Sequence, residues 1–170
     1  RNHTIWENLD LAAWAGQIIA VTGHNGAGKT TLAKIVAGLE RPSKGGIFLH
    51  GRKASPVQRR KSCWYSSNDT GTQFFTNSVT EELLLGVSRT EERLEKARNL
   101  LKRFGLYPYK DAHPAVLSGG QKQRLSITCG LLSGREVLLF DEPTSGLDGG
   151  NMRKIASALA EAAAGGKTIL

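Results

Sequence analysis

The chain of 170 residues holds two cysteines, one methionine and 6% aromatic residues, and nowhere a run of 18 apolar residues. The last absence excludes a membrane-spanning helix within this sequence, so any membrane role must come through a partner. Cys63 and Cys129 are isolated thiols, too few for a disulfide framework. A domain of this length buries enough core to need no staple, and two packed thiols in a reducing, cytosolic setting are expected. Acidic residues are in deficit: 15 Asp and Glu stand against 23 Lys and Arg, a formal net charge of +8. That surplus invites a nucleic-acid reading, yet the basic residues are scattered and the one short cluster, Arg59-Arg60-Lys61, has no aromatics interleaved with it. Nucleic acid is therefore not an expected partner; a solvated loop, or positive charge that helps to hold anions or faces anionic lipid, accounts for the balance. No secretory leader opens the sequence, which begins Arg1-Asn2-His3-Thr4 without methionine and reads as a segment of a longer protein. No internal repeat is visible, and the alanine-rich stretch from Ala156 to Ala164 is simply good helix.

What is present begins with Gly23-His24-Asn25-Gly26-Ala27-Gly28-Lys29-Thr30, which satisfies G-x-x-x-x-G-K-[ST]. It follows the apolar run Ile18-Ile19-Ala20-Val21 and opens a segment with Leu32, Ile35, Val36 and Leu39 on one helical face, the strand-loop-helix setting the pattern requires. The glycines let the backbone wrap around phosphate oxygens with N–H groups pointing inward, and the following helix aims its positive end at them. Lys29 is expected to reach the β- and γ-phosphates of a nucleoside triphosphate, and Thr30 to complete the coordination of Mg²⁺, with Thr31 next to them in the nucleotide site.

Val137-Leu138-Leu139-Phe140 runs into Asp141-Glu142, as expected where a buried parallel strand emerges at the carboxyl edge of a sheet. Asp141 would hold Mg²⁺, directly or through water. Glu142 is the candidate general base, because it can approach the attacking water without serving as a metal ligand. The bland alternative is that the two acids before Pro143 cap a turn.

Between these motifs stands Leu117-Ser118-Gly119-Gly120-Gln121, followed by Lys122-Gln123-Arg124, and after the carboxylates comes Ser145-Gly146-Leu147-Asp148. Alone, Ser-Gly-Gly is equally an N-cap. In this order and spacing the set resembles the ATP-binding cassette (ABC) ATPases, Ser118 to Gln121 matching their signature and Ser145 to Asp148 their D-loop. The resemblance covers essentially the whole chain. It implies ATP and Mg²⁺ as cofactors, and a second ABC ATPase domain arranged head to tail so that Ser118, Gly119, Gly120, Gln121 and Asp148 serve the nucleotide held by the partner.

A narrower resemblance rests on about twenty residues. The tract Asn68 to Val79, with Glu81-Glu82-Leu83 behind it and His113-Pro114 before the signature, is similar to the ATPase components of energy-coupling factor (ECF) importers, most of all to the second half of tandem ATPases of that type. It implies an integral-membrane transport subunit meeting the helical lobe, and a peripheral position on the cytoplasmic face of the cell membrane. One position departs from the family. Asn68 stands where ABC proteins carry a glutamine that touches Mg²⁺ and the attacking water; its amide rides a stem one methylene shorter, so Asn68 is expected to be a weaker sensor and metal contact. The resemblance also places a switch histidine beyond Leu170 and an adenine-stacking aromatic near or before residue 1, for which Trp6 and His3 are weak substitutes; poor turnover is therefore expected of this segment.

The expected fold class is α/β: a P-loop NTPase core with a mostly parallel sheet, an N-terminal antiparallel β part and an inserted α-helical lobe. It forms a single domain over residues 1–170, truncated at both ends, with the core at about 1–78 and 133–170 and the lobe at about 79–132. Strands are expected near Ile5–Ala12, Gln17–Val21, Ile47–His50, Val137–Phe140 and Lys167–Leu170, with a turn at Ser43 to Gly46. Leu94, Ala97, Leu101 and Phe104 share one helical face that Gly105 is placed to stop. A second helix runs from the signature to about Leu132, and a third turns Met152, Ile155, Leu159 and Ala163 inward. Two rivals share the signature. Chromosome-maintenance and DNA-repair ATPases carry a very long coiled coil before it, for which the stretch from Lys29 to Ser118 has no room. Soluble translation-associated ABC proteins more often carry Glu where Gln121 stands, and the tract from Asn68 to Val79 argues for transport.

Overall fold

The computed structural model describes residues 4–69 and 73–170; Arg1 to His3 and, within the tract after Asn68, Thr70 to Thr72 lie outside the described residues. The phosphate-loop glycines feed α1 (Lys29–Ala37), which ends at Gly38 with φ +79°. Leu39 therefore falls beyond the helix and is exposed, while Leu32, Ala33 and Ala37 face inward. A short antiparallel hairpin follows, β1 (Phe48–Leu49) and β2 (Arg52–Lys53). Helix α2 (Pro56–Ser62) starts with a capping box, Ser55 and Gln58 each bonding the other's backbone, and runs directly into β3 (Cys63–Ser66).

The central stretch is helical: α3 (Val79–Leu83), α4 (Glu91–Arg103) and α5 (Gly119–Leu132), with two single 3-10 turns between α4 and α5. Thr90 caps α4, and Ala97, Leu101 and Phe104 are buried on its expected face, with Gly105 at φ +67° beyond its end. Strand β4 (Val137–Phe140), α6 (Gly149–Ala164) and β5 (Thr168–Ile169) complete the chain.

The sheet order is β3-β4-β5, all parallel, with Tyr65 opposite Leu139 and Leu138 opposite Ile169. A parallel bridge from Ile18 to Ile169, with Ile19 N–H donating to the Ile169 carbonyl at 2.8 Å, adds the approach to the phosphate loop on the far side of β5. This order brings residues 18–22 and 137–141 to the same carboxyl edge, one strand apart, the place where α/β sheets bind ligands. Of the strands expected over Ile5–Ala12 and Gln17–Val21, that single bridge is what forms; Ile5, Leu9, Leu11 and Trp14 are exposed. An apolar segment makes a strand only where an edge accepts its hydrogen bonds, and the β1–β2 hairpin pairs with itself. Strand β3 was not anticipated. It is short and lies on the sheet with both ends polar or thiol-bearing, so it lacks the apolar run that marked β4.

Helix α5 is buried at Gln123 and from Leu125 through Leu132, and packs on α3, α4 and α6 as well as β3 and β4. Its approach to the sheet is set by Gly130: a Cβ there would lie 2.7 Å from Trp64 Cδ1 and 3.3 Å from Phe140 Cε1. Helix α6 turns Ile155 and Ala163 inward as expected, with Leu159 packed on the core, and it buries Ala158 as well, whereas Met152 is left 41% exposed.

Candidate nucleotide site

Residues 23–28 curl around the Lys29 side chain, whose Nζ donates to the carbonyls of Gly23 at 2.8 Å and His24 at 3.0 Å. Ala27 N–H closes the loop on the His24 carbonyl, leaving Asn25 and Gly26 at its exposed tip. Gly28, at φ +89°, is the N-cap of α1, and a Cβ there would fall 2.3 Å from Ile5 Cγ2 and 2.8 Å from Trp6 Cζ2. Both the backbone conformation and the crowding require glycine. Trp6 is thus half-buried against the loop.

Thr30 Oγ1 donates to Asp141 Oδ2 at 2.6 Å, joining the two motifs across 111 residues. Asp141 is buried at the end of β4, and its N–H is fixed by the Ser66 carbonyl on β3. Tyr65, also on β3, points its hydroxyl at the same Asp141 oxygen, 3.5 Å away. Burial and then the Asp141 charge push the Tyr65 phenol above its ordinary pKa. Thr31 follows on the first turn of α1, half-buried.

Glu142 is exposed and adopts φ +54°, a conformation uncommon for residues other than glycine. Its carbonyl accepts from Ser145 N–H and, at 3.5 Å, from Nε2 of the buried Gln123 on α5. Lys29, Asp141 and Glu142 line one cleft of about 280 Å³, walled by Ile18 to Val21, Phe140 and Leu170. A larger hollow of about 470 Å³ beside His50, Arg52, Lys53 and Gln58 touches none of these groups.

Ser118 caps α5 in a capping box with Gln121, and both Ser118 and Gly119 face solvent with open space over Gly119. The helix start is therefore both a cap and an accessible set of N–H groups. Gly120 lies beside the Gly146 carbonyl, so signature and D-loop adjoin within the chain. Asp148 caps α6 through Asn151 N–H at 2.8 Å, and Asn151 holds its carboxyl below the usual carboxylate range. Asn68 stands apart: it is exposed, with Oδ1 accepting from Ser67, and among the described residues no hydrogen bond joins it to Thr30 or Asp141.

Hydroxyl and carboxylate oxygens suit a hard cation such as Mg²⁺, and one buried carboxylate beside one hydroxyl leaves positions for phosphate oxygens. No group of three or more His, Cys, Asp or Glu among the described residues could hold a metal without such help. The Thr30–Asp141 pair fits Mg²⁺ carried with a nucleotide.

The family described as ABC transporter matches residues 6–145. The chain belongs to the ABC transporter family. A provisionally named ABC transporter ATP-binding protein of Treponema denticola is 38% identical over 99% of this chain and 34% of its own length. The methionine import ATP-binding protein MetN 1 of Rhodococcus jostii is 40% identical over 95% of this chain and 50% of its own. The provisionally named HMP/thiamine import ATP-binding protein YkoD of Bacillus subtilis is 38% identical over 85% and 27%. This ABC domain spans about a third of the length of the first of these relatives. Among solved structures, the ATP binding subunit of an ABC transporter superposes with a TM-score of 0.86 at 28% identity, over 98% of this chain and 72% of that one. CbiO1 of Clostridium perfringens, part of the ABC transporter complex CbiONQ, superposes at 0.74 with 32% identity, over 91% and 66%. The α/β ABC ATPase fold is thereby established.

Tyr65, Gln123, Ser66 and Ser126 belong to this neighbourhood and were not singled out from the sequence. For Ser126 a signal existed: it is polar and stands between Leu125 and Ile127 in the mostly apolar second half of α5.

Proposed function

We propose that the domain binds ATP with Mg²⁺ in the cleft at the carboxyl edge of the sheet and hydrolyses it to energise a membrane transporter of the ECF importer class. The 2.6 Å contact between Thr30 and Asp141 carries this reading, because it assembles the cation-holding pair of a phosphate-transfer site from two distant motifs. Backbone N–H groups from Gly23 to Gly28, with Thr31, cradle the phosphates. Lys29 exchanges the Gly23 and His24 carbonyls for β- and γ-phosphate oxygens, which carry more charge. Thr30 and Asp141 hold Mg²⁺, with Asn68 as a weak further contact; the ion, when bound, offsets charge on the transferring phosphoryl group. Glu142 takes the proton of the attacking water at its exposed carboxylate. Ser118 to Gln121, with Asp148, supply a second anion site for the nucleotide of a partner ABC domain, in a head-to-tail pair.

The transport assignment is supported by relatives named for import of methionine and of HMP/thiamine and by the likeness to a CbiONQ component. No helix among the described residues is long and apolar enough to cross a membrane, so an integral-membrane subunit would provide the path, docked on the lobe at 79–132 from the cytoplasmic face. The test is hydrolysis of MgATP by the full-length protein, alone and with the membrane subunit encoded beside it. Stimulation by that subunit supports transport. Hydrolysis with no such partner supports a soluble ABC ATPase instead.

A further inference from the structure

The residues that bracket the Asn68 loop are tied to one atom of the signature helix. Ser66, the last residue of β3, and Ser126, on α5, are 1% and 2% exposed, with their hydroxyls 2.7 Å apart. Ser126 Oγ in turn donates to Gln73 Oε1 at 3.1 Å. A serine hydroxyl has one proton, so the chain has a fixed sense: Ser66 donates to Ser126, and Ser126 donates to Gln73. Ser66 also accepts Asp141 N–H at its carbonyl. A single buried hydroxyl thus joins the strand end beside the Mg²⁺ carboxylate, the helix that begins at Ser118, and the far stem of the loop that carries Asn68.

A second buried group holds the same stem. The Glu82 side chain of α3 is buried, and its Oε2 accepts from Phe75 N–H, Thr76 N–H and Thr76 Oγ1, each at 2.9 Å. Burying a carboxylate is costly unless its oxygens are met by donors, and here this turn supplies three to Oε2. The path of residues 73–76 is therefore specified from both α3 and α5.

We infer that Ser126 is a positioning residue for residues 66–69 and 73–76, setting where Asn68 stands relative to Asp141. The inference rests on the ATPase reading above. Because Ser126 touches neither nucleotide nor metal, its loss should act on turnover and on the loop rather than on ATP capture.

The test is Ser126→Ala in the full-length protein, read by hydrogen exchange of residues 66–69 and 73–76 without nucleotide, by MgATP affinity, and by kcat and KM. Exchange in these segments should quicken about tenfold, kcat should fall about 10- to 100-fold, as a displacement near 1 Å in an aligned site can cause, and affinity and KM should stay within about twofold. The double variant Ser66→Ala/Ser126→Ala removes both facing hydroxyls; it should recover thermal stability but not kcat, since Gln73 is still unheld. Gln73→Leu added to Ser126→Ala should cost nothing further. Unchanged exchange and kcat in Ser126→Ala, or full additivity with Gln73→Leu, would overturn the inference. Wild-type protein that binds MgATP without turnover would overturn the ATPase reading, and the exchange result would still decide whether Ser126 pins the loop.

Discussion

Lys29 and Gly23 face each other across the phosphate loop, the Lys29 ammonium donating to the Gly23 carbonyl at 2.8 Å. The charge is thus held at the center of the loop by groups that are weaker acceptors than phosphate oxygens, and ligand entry needs an exchange of partners rather than a search by a free side chain.

Lys29→Ala should abolish measurable MgATP binding. Charge-assisted hydrogen bonds to phosphate are about twice as strong as neutral ones, and the remaining backbone N–H groups cannot replace the lost cation. Isothermal calorimetry on the two proteins checks this; equal affinities would remove the loop from its assigned role.

Glu142 gives two separable expectations. Glu142→Gln should leave ATP binding intact and cut hydrolysis by about two to four powers of ten, the usual weight of a general base. An ATP-bound pair of domains should then accumulate, visible by light scattering. Because Glu142 sits at φ +54°, where a side chain costs about 1–2 kcal/mol, Glu142→Gly should raise the melting temperature while also abolishing turnover. A lower melting temperature would show that the side chain is held by contacts that stabilise the fold.

Gly130 tests how α5 meets the sheet. A methyl group there collides with Trp64 and Phe140, which costs about 1–3 kcal/mol in a packed core, against about 1 kcal/mol gained by alanine over glycine in a helix. Gly130→Ala should therefore lower stability by up to about 2 kcal/mol, or up to roughly 8 °C in Tm for a domain of this size. Thermal unfolding decides it; a rise in Tm would mean that the indole has room to move.

These sites differ in how far the sequence disclosed them. The phosphate loop, the carboxylates after β4 and the signature were legible because their chemistry demands particular residue types at fixed spacings. The strand expected near Ile5 does not form, and the one near Gln17 is reduced to a single bridge on β5, because an apolar segment reports burial and not the existence of a pairing edge. Met152 was placed inward by spacing alone, whereas the packing of α6 selects Ala158. The Ser66–Ser126–Gln73 chain ties the two ends of one loop to a helix more than fifty residues further along, and nothing short of the fold brings them together.

Asn68 is the remaining departure at a position proposed to be functional. Its amide reaches about 1.5 Å less far than that of glutamine, one bond along the side chain, and a misplacement near 1 Å can cost on the order of a hundredfold where water and metal must be aligned. In the structure its Oδ1 is turned to Ser67. We therefore expect a slow site, or the weaker of two unequal sites in a paired ATPase. With the partner site silenced by substitution of its own carboxylate, Asn68→Gln in the full-length protein should raise turnover several-fold and leave ATP affinity unchanged. The competing source of the contact is Gln73, but its carbonyl is engaged by Ser126. Release of that bond in Ser126→Ala should then diminish the gain from Asn68→Gln, because the longer amide would stand on an unpinned loop. Turnover that is indifferent to Asn68→Gln, yet lost on Gln73→Ala in the presence of an intact Ser126, would transfer the sensor role to Gln73.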